Sequence, residues 1–200
     1  MLLKNVREHK MQLRSKHKRL RNACPPDVKL QLDARLAQMF LETDEYKKCR
    51  TLFAFVSSPI EVDTSVIIDR ALSYGKRLAL PRCKNRFGEM DFYYVTSLSV
   101  LEKGTFSLME PNLNKCEKVT DLSDGLCIVP GLCFDLNGYR IGFGKGYYDR
   151  FLQQFGGITA GLCYSRCIEH NLPIGRFDKP VDILITEKFI NHTNNVFAEE

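Results

Sequence analysis

Short, almost continuous apolar runs punctuate this chain, and they narrow its fold more than any other feature. They are Thr51-Leu52-Phe53-Ala54-Phe55-Val56, Leu78-Ala79-Leu80, Leu126-Cys127-Ile128-Val129, Ile158 to Tyr164, and Ile183-Leu184-Ile185. A strand with one face in water alternates apolar and polar residues. Runs that stay apolar at successive positions fit strands buried on both faces, as inside a parallel sheet. Met90 to Val95 reads as a further strand. Helical patterns lie between. Thr64 to Ser73 turns Val66, Ile67, Ala71 and Leu72 inward with Gly75 as its cap, and Tyr147 to Gln154 forms a second such segment. Strands alternating with helices predict a layered α/β fold with a mainly parallel sheet, and ligands collect at the carboxyl ends of such strands.

Two helices precede the sheet, over 3–21 and 27–42, separated by the breaker Cys24-Pro25-Pro26-Asp27. In the first, Leu3, Val6, Leu13 and Leu20 form an apolar stripe, while Arg7, Lys10, Arg14, Lys18 and Arg21 form a basic one. The length of 200 residues suits a single core. The expected organisation is one domain over 1–187, with the helical pair of 1–42 packed on it and 188–200 as a loose polar tail.

Charge placement excludes some functions. The net charge is +5, yet residues 1–21 alone carry +7 and the remainder −2. A nucleic-acid coat protein spreads its basicity more widely, so no nucleic-acid partner is expected; the basic stripe is read either as a solvated face or as one from which Lys10 and Arg14, one turn apart, reach an anionic ligand. No stretch approaches the ~18 apolar residues of a membrane span, and the N-terminus lacks an apolar signal core, so a cytoplasmic protein with no membrane partner is expected. The eight cysteines show no CxxC spacing and the four histidines no HxxxH pattern, which disfavours a disulfide framework or a zinc hydrolase.

Chemistry concentrates in Phe134-Asp135-Leu136-Asn137-Gly138-Tyr139-Arg140-Ile141-Gly142-Phe143-Gly144-Lys145-Gly146-Tyr147-Tyr148-Asp149-Arg150-Phe151. Glycines alternate at 142, 144 and 146, with cations at 140 and 145. No Ser or Thr follows the Gly-Lys pair, so this is not a P-loop, and it is not GxGxxG. Alternating glycines also serve a bulge or a tight bend. Clustered cations beside bare backbone N–H groups favour an anion cradle. Asp149 is read as a magnesium ligand, a helix-start charge or a partner of Arg150; Asp182, at the edge of a buried strand, as a cap or a metal ligand. Glu61 is a loop acid after the first strand, and Phe106 is either a core aromatic or a stacking partner for a planar ring.

Taken together, these residues resemble the 5-formyltetrahydrofolate cyclo-ligase family over nearly the whole chain. The resemblance rests most on Pro130-Gly131 through Leu152, which is close to the family's PG-x-x-FD-x-x-G-x-R-x-G-x-G-x-G-YYD run. It is joined, in the family's order, by Lys10-x-x-Leu13-Arg14, Glu61 with Asp63-Thr64, Leu80-Pro81-Arg82, Gly104-x-Phe106 with Glu110-Pro111, and Val181-Asp182. It implies a single-domain, three-layer α/β/α fold and an ATP- and magnesium-dependent enzyme acting on 5-formyltetrahydrofolate as a monomer. By position, Lys10, Arg14, Arg140, Ile141, Gly142, Phe143, Gly144, Lys145, Gly146, Tyr147 and Tyr148 would contact ATP, with Lys145 and Arg140 catalytic. Glu61 would bind the pterin; Phe106, Phe143, Gly144, Lys145, Gly146 and Tyr147 would line the folate; Asp149 and Asp182 would hold magnesium. One departure stands out: Phe177-Asp178 replaces the family's usual His-Asp.

Overall fold

The computed structural model describes residues 2–85, 87–104 and 108–193. Its frame is a seven-stranded sheet built from β1 (Thr51–Phe53), β2 (Arg77–Cys83), β3 (Met90–Val95), β6 (Leu126–Val129), β9 (Ile158–Leu162), β11 (Ile183–Ile185) and β12 (Ile190–His192), in the order β12-β11-β9-β6-β1-β2-β3. The neighbours β11-β9, β9-β6, β6-β1 and β1-β2 are parallel, and the edge strands β3 and β12 are antiparallel. The expected strands are present, and the doubly apolar ones are the interior ones; Leu126 to Val129 are buried throughout. A two-stranded ribbon joins β4 (Leu101–Lys103) to β5 (Met109–Pro111). A small second sheet joins β7 (Cys133–Asp135) to β8 (Arg140–Ile141) and β10 (Ile168–Glu169).

The helices are α1 (Leu2–Asn22), α2 (Pro26–Leu41), α3 (Asp44–Lys48), α4 (Ser65–Ser73) and α5 (Tyr147–Phe151). From β1 the chain crosses through α4 to β2; from β6 it crosses through α5 to β9, in the opposite direction along the sheet. Such crossovers are right-handed, so α4 and α5 cover opposite faces and the molecule has three layers. On the α5 face, Phe53 meets Phe92 (5.2 Å between ring centroids) and Phe155 (5.0 Å), and Phe151 lies 4.5 Å from Phe92. Edge-to-face and offset rings of this kind bury large area with favourable geometry.

One expectation changes. Of the segment expected as a loose tail, residues 190–192 form β12, paired with β11 at Ile183–His192, Leu184–Asn191 and Ile185–Ile190. Pairing satisfies backbone groups that β11 would otherwise leave open at the sheet edge. Residues 194–200 lie outside the described part.

Candidate active site

Connections leave β1 and β6 in opposite directions although the two strands are neighbours. That divergence opens a crevice at their carboxyl ends, the usual ligand position in a parallel α/β sheet. The loop after β1 carries Glu61 to it, and the chain after β6 carries the glycine loop.

The first wall is held by side chains remote in sequence. Arg21, at the end of α1, donates to the carbonyls of Leu132 (3.0 Å), Gly131 (2.8 Å) and Ile60 (3.1 Å). A single guanidinium therefore ties both crevice loops to one helix. Its place on the basic stripe suggests a solvated residue, yet it is 4% exposed, 5.2 Å over the Tyr164 ring. Periodicity places it on a face but does not say what the face meets. Asp33 of α2 accepts from the Tyr164 hydroxyl (2.6 Å), the Lys29 ammonium (2.6 Å) and the Asp63 N–H (3.2 Å). The Thr64 hydroxyl donates to the Phe55 carbonyl at 2.5 Å. Held this way, Glu61 is only 8% exposed, and one carboxylate oxygen accepts the Ser58 N–H at 2.8 Å. A buried carboxylate with spare acceptor capacity favours a donor-rich ligand edge.

The glycine loop forms the second wall. It opens on the β7–β8 hairpin, whose turn is held by Asp135 accepting from the N–H groups of Asn137 (3.1 Å) and Tyr139 (3.0 Å). Arg14 Nε donates to the Gly142 carbonyl at 2.9 Å, which joins α1 to the loop. Gly144 has φ +98°, and a Cβ there would lie 3.1 Å from the Arg14 guanidinium carbon. Glycine is therefore needed for conformation and for the approach of the cation. Gly146, at φ +74°, precedes α5 as its cap. Lys18 lies 5.5 Å over the Phe143 ring. Lys10 pairs with Asp178. Lys145 is exposed and, among the described residues, makes no ion pair. Arg14 of α1 thus meets the loop that carries Lys145, while Lys10, one turn earlier on α1, is joined to Asp178.

Beneath the loop, the chemistry is paired. The Arg140 side chain is 4% exposed; Nη2 bonds Asp149 at 2.5 Å and Nη1 donates to the Lys179 carbonyl at 2.9 Å. Arg140, an expected member of the phosphate cradle, has its buried guanidinium against Asp149. Asp182, the other expected metal ligand, sits at the amino ends of β9 and β11, accepting from the Thr159 N–H (2.8 Å) and hydroxyl (2.7 Å). Among the described residues no group of three or more His, Cys, Asp or Glu is arranged to hold a metal. Magnesium at nucleotide sites usually takes only one or two carboxylates, with phosphate oxygens and water completing its shell. Asp149 suits that donor set: its side chain is 33% exposed, and Arg140 engages only Oδ1.

The two tyrosines point different ways. The Tyr147 hydroxyl donates to the Asn85 carbonyl at 2.7 Å, and burial first, then Cys83, pushes its pKa up to about 12. Tyr148 lies deeper, edge-on to Phe92 (6.5 Å) and Phe151 (6.4 Å), and burial above all holds its phenol well above the ordinary range. Nearby, Glu110 is buried and accepts the Cys83 N–H at 3.4 Å; a Cβ on Gly104 would fall 2.2 Å from its Oε2, so Gly104 makes room for this carboxylate. Burial, reinforced by Glu110, pushes the Cys83 thiol up to about 11. Phe106 lies outside the described residues.

A model of the 5-formyltetrahydrofolate cyclo-ligase family matches residues 6–187. The chain is 28% identical to 5-formyltetrahydrofolate cyclo-ligase of Mus musculus over 193 residues, covering 91% of this chain and 95% of that one. It is 28% identical to the mitochondrial 5-formyltetrahydrofolate cyclo-ligase of Arabidopsis thaliana over 210 residues, covering 92% and 76%. Its fold is similar to the NMR structure of Aquifex aeolicus 5,10-methenyltetrahydrofolate synthetase, with a TM-score of 0.83, 33% identity and 96% of each chain covered.

Proposed function

This chain belongs to the 5-formyltetrahydrofolate cyclo-ligase family, and we propose that its crevice carries out the family's ATP-dependent conversion of 5-formyltetrahydrofolate to 5,10-methenyltetrahydrofolate. The observation that carries this reading is Arg14 of α1 bonded to the glycine loop that also carries the exposed Lys145, with the buried Glu61 on the connection after the neighbouring strand β1.

The formyl oxygen attacks the γ-phosphorus of ATP, and ADP leaves. N10 then attacks the activated formyl carbon, gives up its proton, and phosphate departs with the former formyl oxygen. An amide-like oxygen is a weak nucleophile and a poor leaving group. Phosphorylation solves the second difficulty; alignment and fixed cations ease the first. Lys145, exposed and in no ion pair among the described residues, meets the charge of the transferring phosphoryl group. Arg14 is fixed at the loop, with Nε already donating to Gly142, and turns its remaining donors to phosphate. Lys10 exchanges part of its pairing with Asp178 for phosphate. Glu61 accepts from the aminopyrimidine edge of the pterin, while Phe143 and Tyr147 flank the folate. Magnesium, held by Asp149 together with phosphate oxygens, would neutralise charge on the triphosphate. Asp182 braces β9 against β11 through Thr159. No described helix is long and apolar enough to cross a membrane.

The test is the growth of methenyltetrahydrofolate absorbance from 5-formyltetrahydrofolate with ATP and magnesium. Nucleotide- and folate-dependent turnover is expected. Folded protein that gives no product overturns the reading.

A further inference from the structure

Lys145 stands between two glycines that both hold the chain at positive φ, Gly144 at +98° and Gly146 at +74°. Glycine takes either sign of φ at little cost, so the backbone on each side of Lys145 is a pivot. A lysine in such a place has no fixed direction of its own. Its ammonium is aimed only if a group outside the loop holds the peptides next to it.

Two arginines hold them. On one side, Arg14 donates to the Gly142 carbonyl and its guanidinium adjoins Gly144. On the other, Arg150 of α5 donates through Nη1 to the carbonyls of Lys145 (3.0 Å) and Gly146 (3.1 Å). Its sequence neighbour Asp149 is joined to Arg140 instead. The Gly146 carbonyl also accepts the Arg150 backbone N–H at 3.1 Å, so its direction follows from α5. The Lys145 carbonyl lies outside the helix, and its bond is to the Arg150 side chain.

The connection between β2 and β3 completes this seat. Gly88 has φ +95°, and a Cβ there would fall 2.2 Å from Arg150 Nη1 and 2.4 Å from the Lys145 carbonyl oxygen. A Cβ on Gly146 would fall 2.8 Å from the same Nη1. The backbone at Gly88 therefore lies directly against the bond between Arg150 and Lys145. That connection is itself braced: Asn85 Oδ1 accepts the Phe87 N–H at 2.9 Å, and the Asn85 carbonyl accepts from the Tyr147 hydroxyl at 2.7 Å.

We propose that Arg150 is a positioning residue for Lys145: by holding the Lys145 carbonyl it selects, of the peptide orientations that the flanking glycines permit, the one that aims the ammonium at the transferring phosphoryl group. This rests on the proposed reaction, and it gives Arg150 no contact with substrate. In a trans peptide the carbonyl and the N–H point to opposite sides, so the same bond turns the Gly146 N–H away from Arg150 and fixes the plane from which Lys145 projects. A displacement of about 1 Å at a reacting group costs up to about 10²-fold in rate, so a tether on the backbone is enough to matter.

The test is a double-mutant cycle on the full chain, with kcat read at saturating ATP, magnesium and 5-formyltetrahydrofolate. Arg150→Met keeps much of the apolar stem and removes the donor. Alone it should lower kcat about 10-fold, with the Michaelis constant for 5-formyltetrahydrofolate unchanged. Because Arg150 is exposed, the melting temperature should stay within about 2 °C of the unaltered protein. In Lys145→Ala protein the same substitution should change kcat by less than about 2-fold, since no ammonium is left to aim. A merely structural arginine, or one that met phosphate itself, would lower kcat as much in Lys145→Ala protein as in the unaltered one. Equal losses in the two backgrounds, an unchanged kcat for Arg150→Met alone, or a variant that fails to fold or melts several degrees lower each overturns the proposal. Absence of turnover by the unaltered protein overturns the parent reading instead, so the two failures are distinguishable.

Discussion

The outer surface of the glycine loop and the layer beneath it carry similar residue types in opposite electrostatic states. Outside, Lys145 is exposed and unpaired among the described residues, and Arg14 keeps donors in reserve after binding Gly142. Beneath, Arg140 is buried and bonded to Asp149 and the Lys179 carbonyl. Nine residues of sequence separate Arg140 from Asp149, and only α5 turning back under the loop brings them together. One level thus has donors without a partner of their own, and the other has its charges joined to each other. Cations in the first level should matter to turnover alone; groups in the second should matter to turnover and to folding together.

The largest expected effect is Lys145→Ala, which tests the outer level. Turnover should fall by about 10²- to 10³-fold, the usual cost of removing one charge-stabilising donor, while stability changes by no more than about 0.5 kcal/mol. A large drop in melting temperature with turnover retained would erase the distinction between the two levels.

Asp149→Asn tests the lower level and should move both observables. Turnover should fall about 10- to 100-fold with a shifted magnesium titration. Arg140 would lose its charge partner. Breaking a buried pair costs about 3–5 kcal/mol, but Asp149 is a third exposed, and solvent screening reduces this to about 1–2 kcal/mol. Unchanged stability measured by urea unfolding would show that the Arg140–Asp149 pair is not structural.

Arg21→Met removes the clamp while keeping much of the apolar stem. Three backbone carbonyls lose their donor, so a loss of about 2–3 kcal/mol is expected by chemical denaturation. The Michaelis constants for both substrates should rise, since Ile60 and Gly131 lie on opposite walls of the crevice. An effect confined to one substrate would mean that the walls are positioned independently.

The smallest effect concerns pH. His17 of α1 is almost fully buried, and its Nε2 lies 2.5 Å from Glu169. Burial, the largest influence, lowers its pKa below the ordinary 6.5 despite the opposing pull of Glu169. A histidine harder to protonate folded than unfolded adds stability that is fully present above pH 6.5 and lost as pH falls below it towards the lowered folded value. Melting temperature followed across that window should decline on acidification, and His17→Gln should flatten the decline. A slope unaffected by the substitution would assign the acid sensitivity elsewhere, and α1 would then be fastened independently of this pair.

Much of the fold was legible in the sequence because its signals are local. An apolar run such as Leu126 to Val129 declares a strand buried on both faces, and Cys24-Pro25-Pro26-Asp27 stops a helix whatever surrounds it. The strands that escaped notice, β4, β5, β7, β8, β10 and β12, are two or three residues long. Strands so short carry no periodicity of their own and exist because a distant partner supplies their hydrogen bonds. The same contrast holds within the site. Composition and spacing pointed to Lys10, Arg14, Lys145 and Asp149 as candidates, since glycine between cations is a local chemical statement, whereas Glu61 took its expected role from the family resemblance.

What sequence alone determined, then, is which chemistry the chain carries and the order in which its strands are made. Tertiary structure alone decided which charges remain available for that chemistry. The basic stripe of α1 is uniform as sequence, yet it yields the buried clamp Arg21, the loop contact Arg14 and the acid-paired Lys10. The reason is that whether a charge is free, paired or buried depends on what packs against it, and in a sheet fold those partners lie tens to more than a hundred residues away.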